Sequence, residues 1–177
     1  MGPTEQKALL TQGLFRSRAI VHIARMRSAG GQDRADSLVP RLMRFRNMAT
    51  KHLHIDRTET SPQIDLDLEH GMIEFVGRSL PANSEDFYGR VYRWLDEYLE
   101  KPHKETVVNM RMDYLDTSSS KHFFNIFDRL NTVNERGQKV HVKWHYETGD
   151  EEMAETGKDF QSFFNLDFDF VEVKELF

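Results

Sequence analysis

Apolar and polar residues begin to alternate regularly at Gln63. Ile64, Leu66 and Leu68 are separated by Asp65, Asp67 and Glu69, the period of two that turns one strand face to a core and the other to water. His70-Gly71 offers a turn and Met72 to Val76 a second strand, so a hairpin is predicted here. After Gly77 to Pro81 the period lengthens. Phe87, Val91, Trp94, Leu95 and Tyr98 recur at three- and four-residue steps behind a cap at Asn83 or Ser84, with acidic Glu85 and Asp86 in the first turn and Pro102 beyond the end. This is the pattern of a helix that buries one aromatic-rich face.

Thr106 to Tyr114 reads as a third strand with Val108, Met110, Met112 and Tyr114 on one face. A helix from His122 to Asn134 follows, its inward stripe marked by Phe123, Phe127, Leu130 and Val133 or Asn134, and Gly137 ends it. Lys139 to Tyr146 alternates again, with Val140, Val142, Trp144 and Tyr146 on one side and His141, Lys143 and His145 on the other. Asp150-Glu151-Glu152 supplies negative charge to the start of a helix over 151–164, weakened by Gly157. Leu166, Phe168 and Phe170 form a last strand. The order strand, strand, helix, strand, helix, strand, helix, strand predicts a single α/β domain, a mixed β-sheet with helices packed on it.

The chain of 177 residues, with 38% hydrophobic and 30% charged residues, can bury one sizeable core. It has no cysteine, which excludes disulfides, zinc-thiolate sites and thiol catalysis and fits a reducing, cytoplasmic setting. The longest apolar runs, such as Ala19 to Ala24, are far shorter than a membrane span, so no membrane insertion is expected. The net charge of -5 divides unevenly: residues 1–57 hold eleven Lys/Arg against four Asp/Glu, and residues 58–177 hold thirteen against twenty-five. An acidic domain of this kind repels nucleic acid.

The basic stretch 1–47 is therefore expected to be an extension of the domain over 50–175. Leu9, Leu10, Leu14, Ile20 and Ile23 could line a loose helical face. Its arginines fit a transit peptide or a contact with nucleic acid or anionic lipid. The plainer expectation is a disordered extension, or sequence upstream of a native start at Met48.

Candidate chemistry gathers at Tyr114-Leu115-Asp116-Thr117-Ser118-Ser119-Ser120-Lys121, between the third strand and the second helix. Four consecutive hydroxyls exceed what capping by Asp116, Thr117 or Ser118 needs. Ser118-x-x-Lys121 formally matches a serine nucleophile motif, but no Ser-Asp-Asn or Lys-Thr-Gly element accompanies it. His141 with His145, or His52 with His54, could begin a metal site, yet neither pair has an evident third ligand. Asp65/Asp67, Asp167/Asp169 and Asp150 to Glu152 fit solvated strand faces or helix starts. Phe123-Phe124, Phe163-Phe164 and Trp144 fit the core. A phosphate on Thr117 would bring about -1.5 to -2 charges beside Asp116 and Asp113, with Lys121 one turn along to answer part of it.

Four separated segments, Gly77-Arg78-Ser79-Leu80-Pro81-Ala82-Asn83-Ser84, then Phe87-Tyr88 with Trp94-Leu95, then 114–121, then Trp144-His145-Tyr146 with Asp150-Glu151-Glu152-Met153, together resemble the SiaC family of bacterial regulatory phosphoproteins. The resemblance spans about residues 50–173. It implies a non-enzymatic, STAS-like regulator without cofactor, switched by reversible phosphorylation of the threonine that maps onto Thr117, with Ser118 as the alternative and Asp116, Ser118, Ser119, Ser120 and Lys121 as its neighbourhood. It further implies a SiaB-type kinase, a SiaA-type PP2C phosphatase and a SiaD-type diguanylate cyclase as partners. The unphosphorylated form would activate that cyclase and so affect cyclic di-GMP and biofilm formation or aggregation. Asp116 stands where the family commonly has Asn, and the basic arm precedes the family's usual start. A small Ser118/Lys121 hydrolase, a metal-dependent enzyme around His141 and His145, and a purely structural interaction module are the competing readings.

Overall fold

The computed structural model describes residues 51–177, so the basic arm and its candidate helical face lie outside the described residues. Among the described residues, six strands and three helices follow one another as β1 (His52–Ile55), β2 (Gln63–Asp67), β3 (Met72–Ser79), α1 (Ser84–Tyr98), β4 (Glu105–Leu115), α2 (Thr117–Glu135), β5 (Lys139–Glu147), α3 (Glu151–Phe163) and β6 (Asp167–Val173). The sheet order is β1-β2-β3-β4-β5-β6. β1, β2 and β3 pair antiparallel, and β3 to β6 pair parallel. The expected mixed sheet with packed helices is the one observed.

Each parallel step advances in the same direction, and right-handed crossovers then place all three helices on one side of the sheet. One core joins Ile64, Phe75, Met110, Val142 and Phe168 of the strands to Trp94, Phe123, Phe127 and Phe160 of the helices. The opposite strand face carries the polar half of each alternation, including Asp65, Asn109, Arg111, His141 and Lys143, and most of these side chains are only half-buried by their neighbours.

Part of that second face is covered by the chain itself. Beyond β6 the backbone turns back and buries Leu176 completely, although Leu176 is not part of the main core. Arg111 donates to the Leu176 carbonyl, the Leu176 N–H donates to Glu147 Oε1 at 3.1 Å, and the Arg57 guanidinium lies 4.4 Å from the centre of the Phe177 ring. This tail ties the β1–β2 loop, β4 and β5 together.

Several boundaries differ from the sequence expectation. β1 is an additional strand, short and with alternate histidines, which pairs Leu53 with Leu66 and Ile55 with Ile64. β3 continues past Val76 to Ser79 through a register shift between Gly77 and Arg78, a bulge permitted by the positive φ of Gly77. Tyr114, expected on the inward face of β4, is 44% exposed: the register shift leaves Asp113 unpaired, Tyr114 lies opposite exposed Arg78, and Leu115 packs against the core instead. The second helix starts five residues before His122, at Thr117. Gly157 sits where a Cβ would come within 2.7 Å of Trp144; the weak helix former is the residue that lets α3 press against the indole.

Candidate functional site

The hydroxyl run is the first turn of α2, and the helix sorts its members by direction. Asp116 is the cap: its backbone is extended, Oδ1 accepts the Ser119 N–H at 2.7 Å, and its own N–H donates to the Ser79 carbonyl at 3.0 Å. An aspartate here satisfies one free amide of the first turn and places negative charge at the positive helix end. Ser118 is half-buried and donates its hydroxyl to Asp116 Oδ1 at 3.0 Å. Ser119 and Ser120 are buried, at 0% and 2% exposure. Thr117 alone is exposed, and its hydroxyl has no hydrogen-bond partner among the described residues.

The burial of Ser119 builds a hydroxyl cluster beneath the turn. Ser119 Oγ donates to the Ser79 carbonyl at 3.0 Å and lies 2.7 Å from Ser79 Oγ, which in turn lies 2.6 Å from the Tyr88 hydroxyl. Three elements thereby meet in a buried set of mutually satisfied polar groups: the end of β3, α1 and the start of α2. Burial pushes the Tyr88 phenol far above its usual range, against the pull of the Ser79 and Ser119 hydroxyls. Three residues after Ser119, the buried ring of His122 stacks on Tyr88 at 4.7 Å and its Nδ1 lies 2.7 Å from the Tyr92 hydroxyl. Burial holds the imidazole below its usual pKa, with Glu85 opposing.

Around this turn the surface carries two charged pairs and two apolar groups. Lys121 Nζ is 4.0 Å from Glu85 Oε1, and the same carboxylate oxygen is 3.9 Å from His122 Nε2. Arg78 Nε is 3.7 Å from Asp113 Oδ2, and its guanidinium lies 6.0 Å from the centre of the Tyr114 ring. Leu80 and Tyr114 are exposed beside them. From the sequence, Glu85 is only a first-turn acid, Arg78, Ser79 and Tyr88 only members of the family-like segments, and His122 only the start of a helix. The two serines were legible in principle, since Ser119 and Ser120 stand four and three residues before Phe123 and so extend the inward stripe of the helix.

The alternative chemistries do not assemble in this geometry. Ser118 is bound to Asp116 and Lys121 faces Glu85, so no serine–lysine pair forms. His141 bridges Asp167 and Asp169 through its two ring nitrogens at 3.0 and 3.1 Å. His54 Nδ1 lies 2.6 Å from Asp65 Oδ1, and this bond raises the His54 pKa. Among the described residues no group of three His, Asp or Glu is arranged to hold a metal ion, and no helix is long and apolar enough to cross a membrane.

Comparison with known proteins adds an independent line. An uncharacterized protein of Pseudomonas aeruginosa (strain UCBPP-PA14) is 33% identical over 109 residues, which cover 62% of this chain and 86% of that protein. The solved structure of SiaC of Pseudomonas aeruginosa superposes with a TM-score of 0.64 at 29% identity, over 70% of this chain and all of that one. A chain in the crystal structure of the diguanylate cyclase SiaD in complex with its activator SiaC, from the same organism, gives 0.65 at 30% identity over 68% of this chain and 99% of that one. The model of the SiaC family regulatory phosphoprotein matches residues 55–173, from the end of β1 to the end of β6. With the fold, the segments around Gly77 to Ser84 and Tyr114 to Lys121, and this match in agreement, the chain belongs to the SiaC family of regulatory phosphoproteins.

Proposed function

We propose that this protein is a partner-switching regulator controlled by phosphorylation of Thr117, and that its unphosphorylated form binds and activates a diguanylate cyclase of the SiaD type. The observation that carries this reading is the separation of the four hydroxyls: Ser119 and Ser120 are interior, Ser118 is bound to the cap, and Thr117 faces solvent unbonded among the described residues. A phosphate added there would change the surface without entering the core. The exposed Leu80 and Tyr114 beside it supply apolar area suited to a protein interface. The relation to SiaC, which has been solved with the cyclase SiaD, supports the choice of partner. A SiaB-type kinase and a SiaA-type PP2C phosphatase complete the cycle that the family resemblance implies.

The switch follows from charge. A neutral threonine can be covered by a partner, whereas a phosphothreonine must be desolvated or paired there, at a cost of several kcal/mol without a cation. About 2.7 kcal/mol already lowers affinity a hundredfold. Phosphopeptide mapping after incubation with the cognate kinase should place the phosphate on Thr117, and phosphate confined to Ser118 would redirect the assignment. In calorimetry against the cyclase, Thr117→Ala should retain binding and Thr117→Asp should lose it. Equal binding by both would refute the charge switch.

A further inference from the structure

We infer that a phosphate on Thr117 is answered within the chain by Lys121, which exchanges its ion pair with Glu85 of α1 for one with the phosphate. This rests on the assignment of Thr117 as the modified residue and adds the internal acceptor that the modification would recruit. Lys121 lies one helical turn after Thr117, and side chains four apart share a helix face. Helical side chains also lean toward the N-terminus of their helix, a direction from which the lysine can reach the turn that carries Thr117.

Its present partner holds it weakly. The Lys121–Glu85 separation is 4.0 Å with the two side chains 56% and 73% exposed, and pairs of this kind contribute little in water. A dianionic phosphate is the stronger attractor. Asp116 stands beside the modified residue as the cap, and its negative charge makes an internal cation more valuable to the phosphate. The other nearby cation, Arg78, is engaged on the β4 side with Asp113 and the Tyr114 ring. Release of Lys121 leaves the Glu85 carboxylate facing His122 Nε2, now 3.9 Å away. The His122 ring is otherwise enclosed by Tyr88 and the Tyr92 hydroxyl. One modification thereby rearranges the charges that join the first turn of α1 to the first two turns of α2.

The test uses the full chain with phosphothreonine genetically encoded at position 117, so that it does not depend on any kinase. Phosphorus NMR against pH reads the second ionisation of the phosphate. In Lys121→Gln it should titrate higher by about half a pH unit, the size expected for loss of one exposed opposite charge. Arg78→Gln should leave it nearly unmoved. Lys121→Gln should also diminish the change that phosphorylation produces in the His122 ring signals. An unaltered phosphate titration in Lys121→Gln, or a larger shift in Arg78→Gln than in Lys121→Gln, would overturn the exchange. Those results would leave the phosphosite itself to the kinase mapping, where failure takes the different form of phosphate on another residue.

Discussion

Asp116, Ser119 and His122 show how much one side chain can decide at this turn. Asp116 sets the start of the helix, Ser119 fastens it to β3, and His122 fills the space beside Tyr88. Since burial depresses the His122 pKa, its neutral ring is the form the fold favours. As pH falls, the unfolded chain takes up this proton first, near pH 6.5, and the folded chain only lower, so stability is lost across that interval. His145 acts in the same direction, through burial and then its neighbours Arg111 and Lys143. His54 acts in the opposite one, because its bond to Asp65 raises its pKa and its contribution is present below about pH 6.5 and fades as pH rises through its folded value. Urea unfolding of His122→Gln from pH 7.5 to 5 should therefore show a flatter decline on the acid side than the parent protein. An unchanged slope would mean that His122 does not titrate differently in the two states.

Elements were largely visible in the pattern of the chain, and the exceptions share a cause. The hairpin, the three helices and the inward faces of β4 and β5 follow from local periodicity, which requires only a core on one side. β1 was not counted because His52-Leu53-His54-Ile55 alternates over only four residues, too short a run to stand out by itself; its strand character is completed by pairing with β2. The early start of α2 was hidden because a run of serines looks like a loop until Phe123 is seen to continue through Ser119 and Ser120. The cluster of Ser79, Tyr88 and Ser119 joins residues up to 40 positions apart, and no local signal reports it. Gly157 is a related case: read alone it weakens a helix, whereas in place it is contact surface for Trp144 and Phe170. Gly157→Ala would gain roughly 0.5–1 kcal/mol in helix propensity. It would cost about 1–3 kcal/mol in overpacking. A lower unfolding midpoint in denaturant is the expected outcome, and a higher one would show that the indole can move away.

At the scale of the whole molecule, a sheet wound on one side leaves its other face to be managed by polar side chains and by the returning tail. Leu176 is fully buried there, yet it lies outside the strands and the main core, so its loss costs no more than the docking of its short segment is worth. Leu176→Ala is expected to lower stability by about 1–3 kcal/mol. The double variant Leu176→Ala/Arg111→Ala should lose less than the sum of the two single losses, since both act through one contact; full additivity in thermal unfolding would contradict a single docked tail. The hydroxyl cluster has a consequence of another kind, for the speed of signalling. Thr117 is held in helical backbone whose first turn is fastened to β3 and α1. Any enzyme that needs the residue in an extended conformation must wait for that turn to unwind, which breaks bonds to two other elements. Under the proposed switch, the opening free energy of one helical turn, measurable by amide hydrogen exchange at Ser119 and Ser120, would set a ceiling on how quickly a phosphate on Thr117 is added or removed.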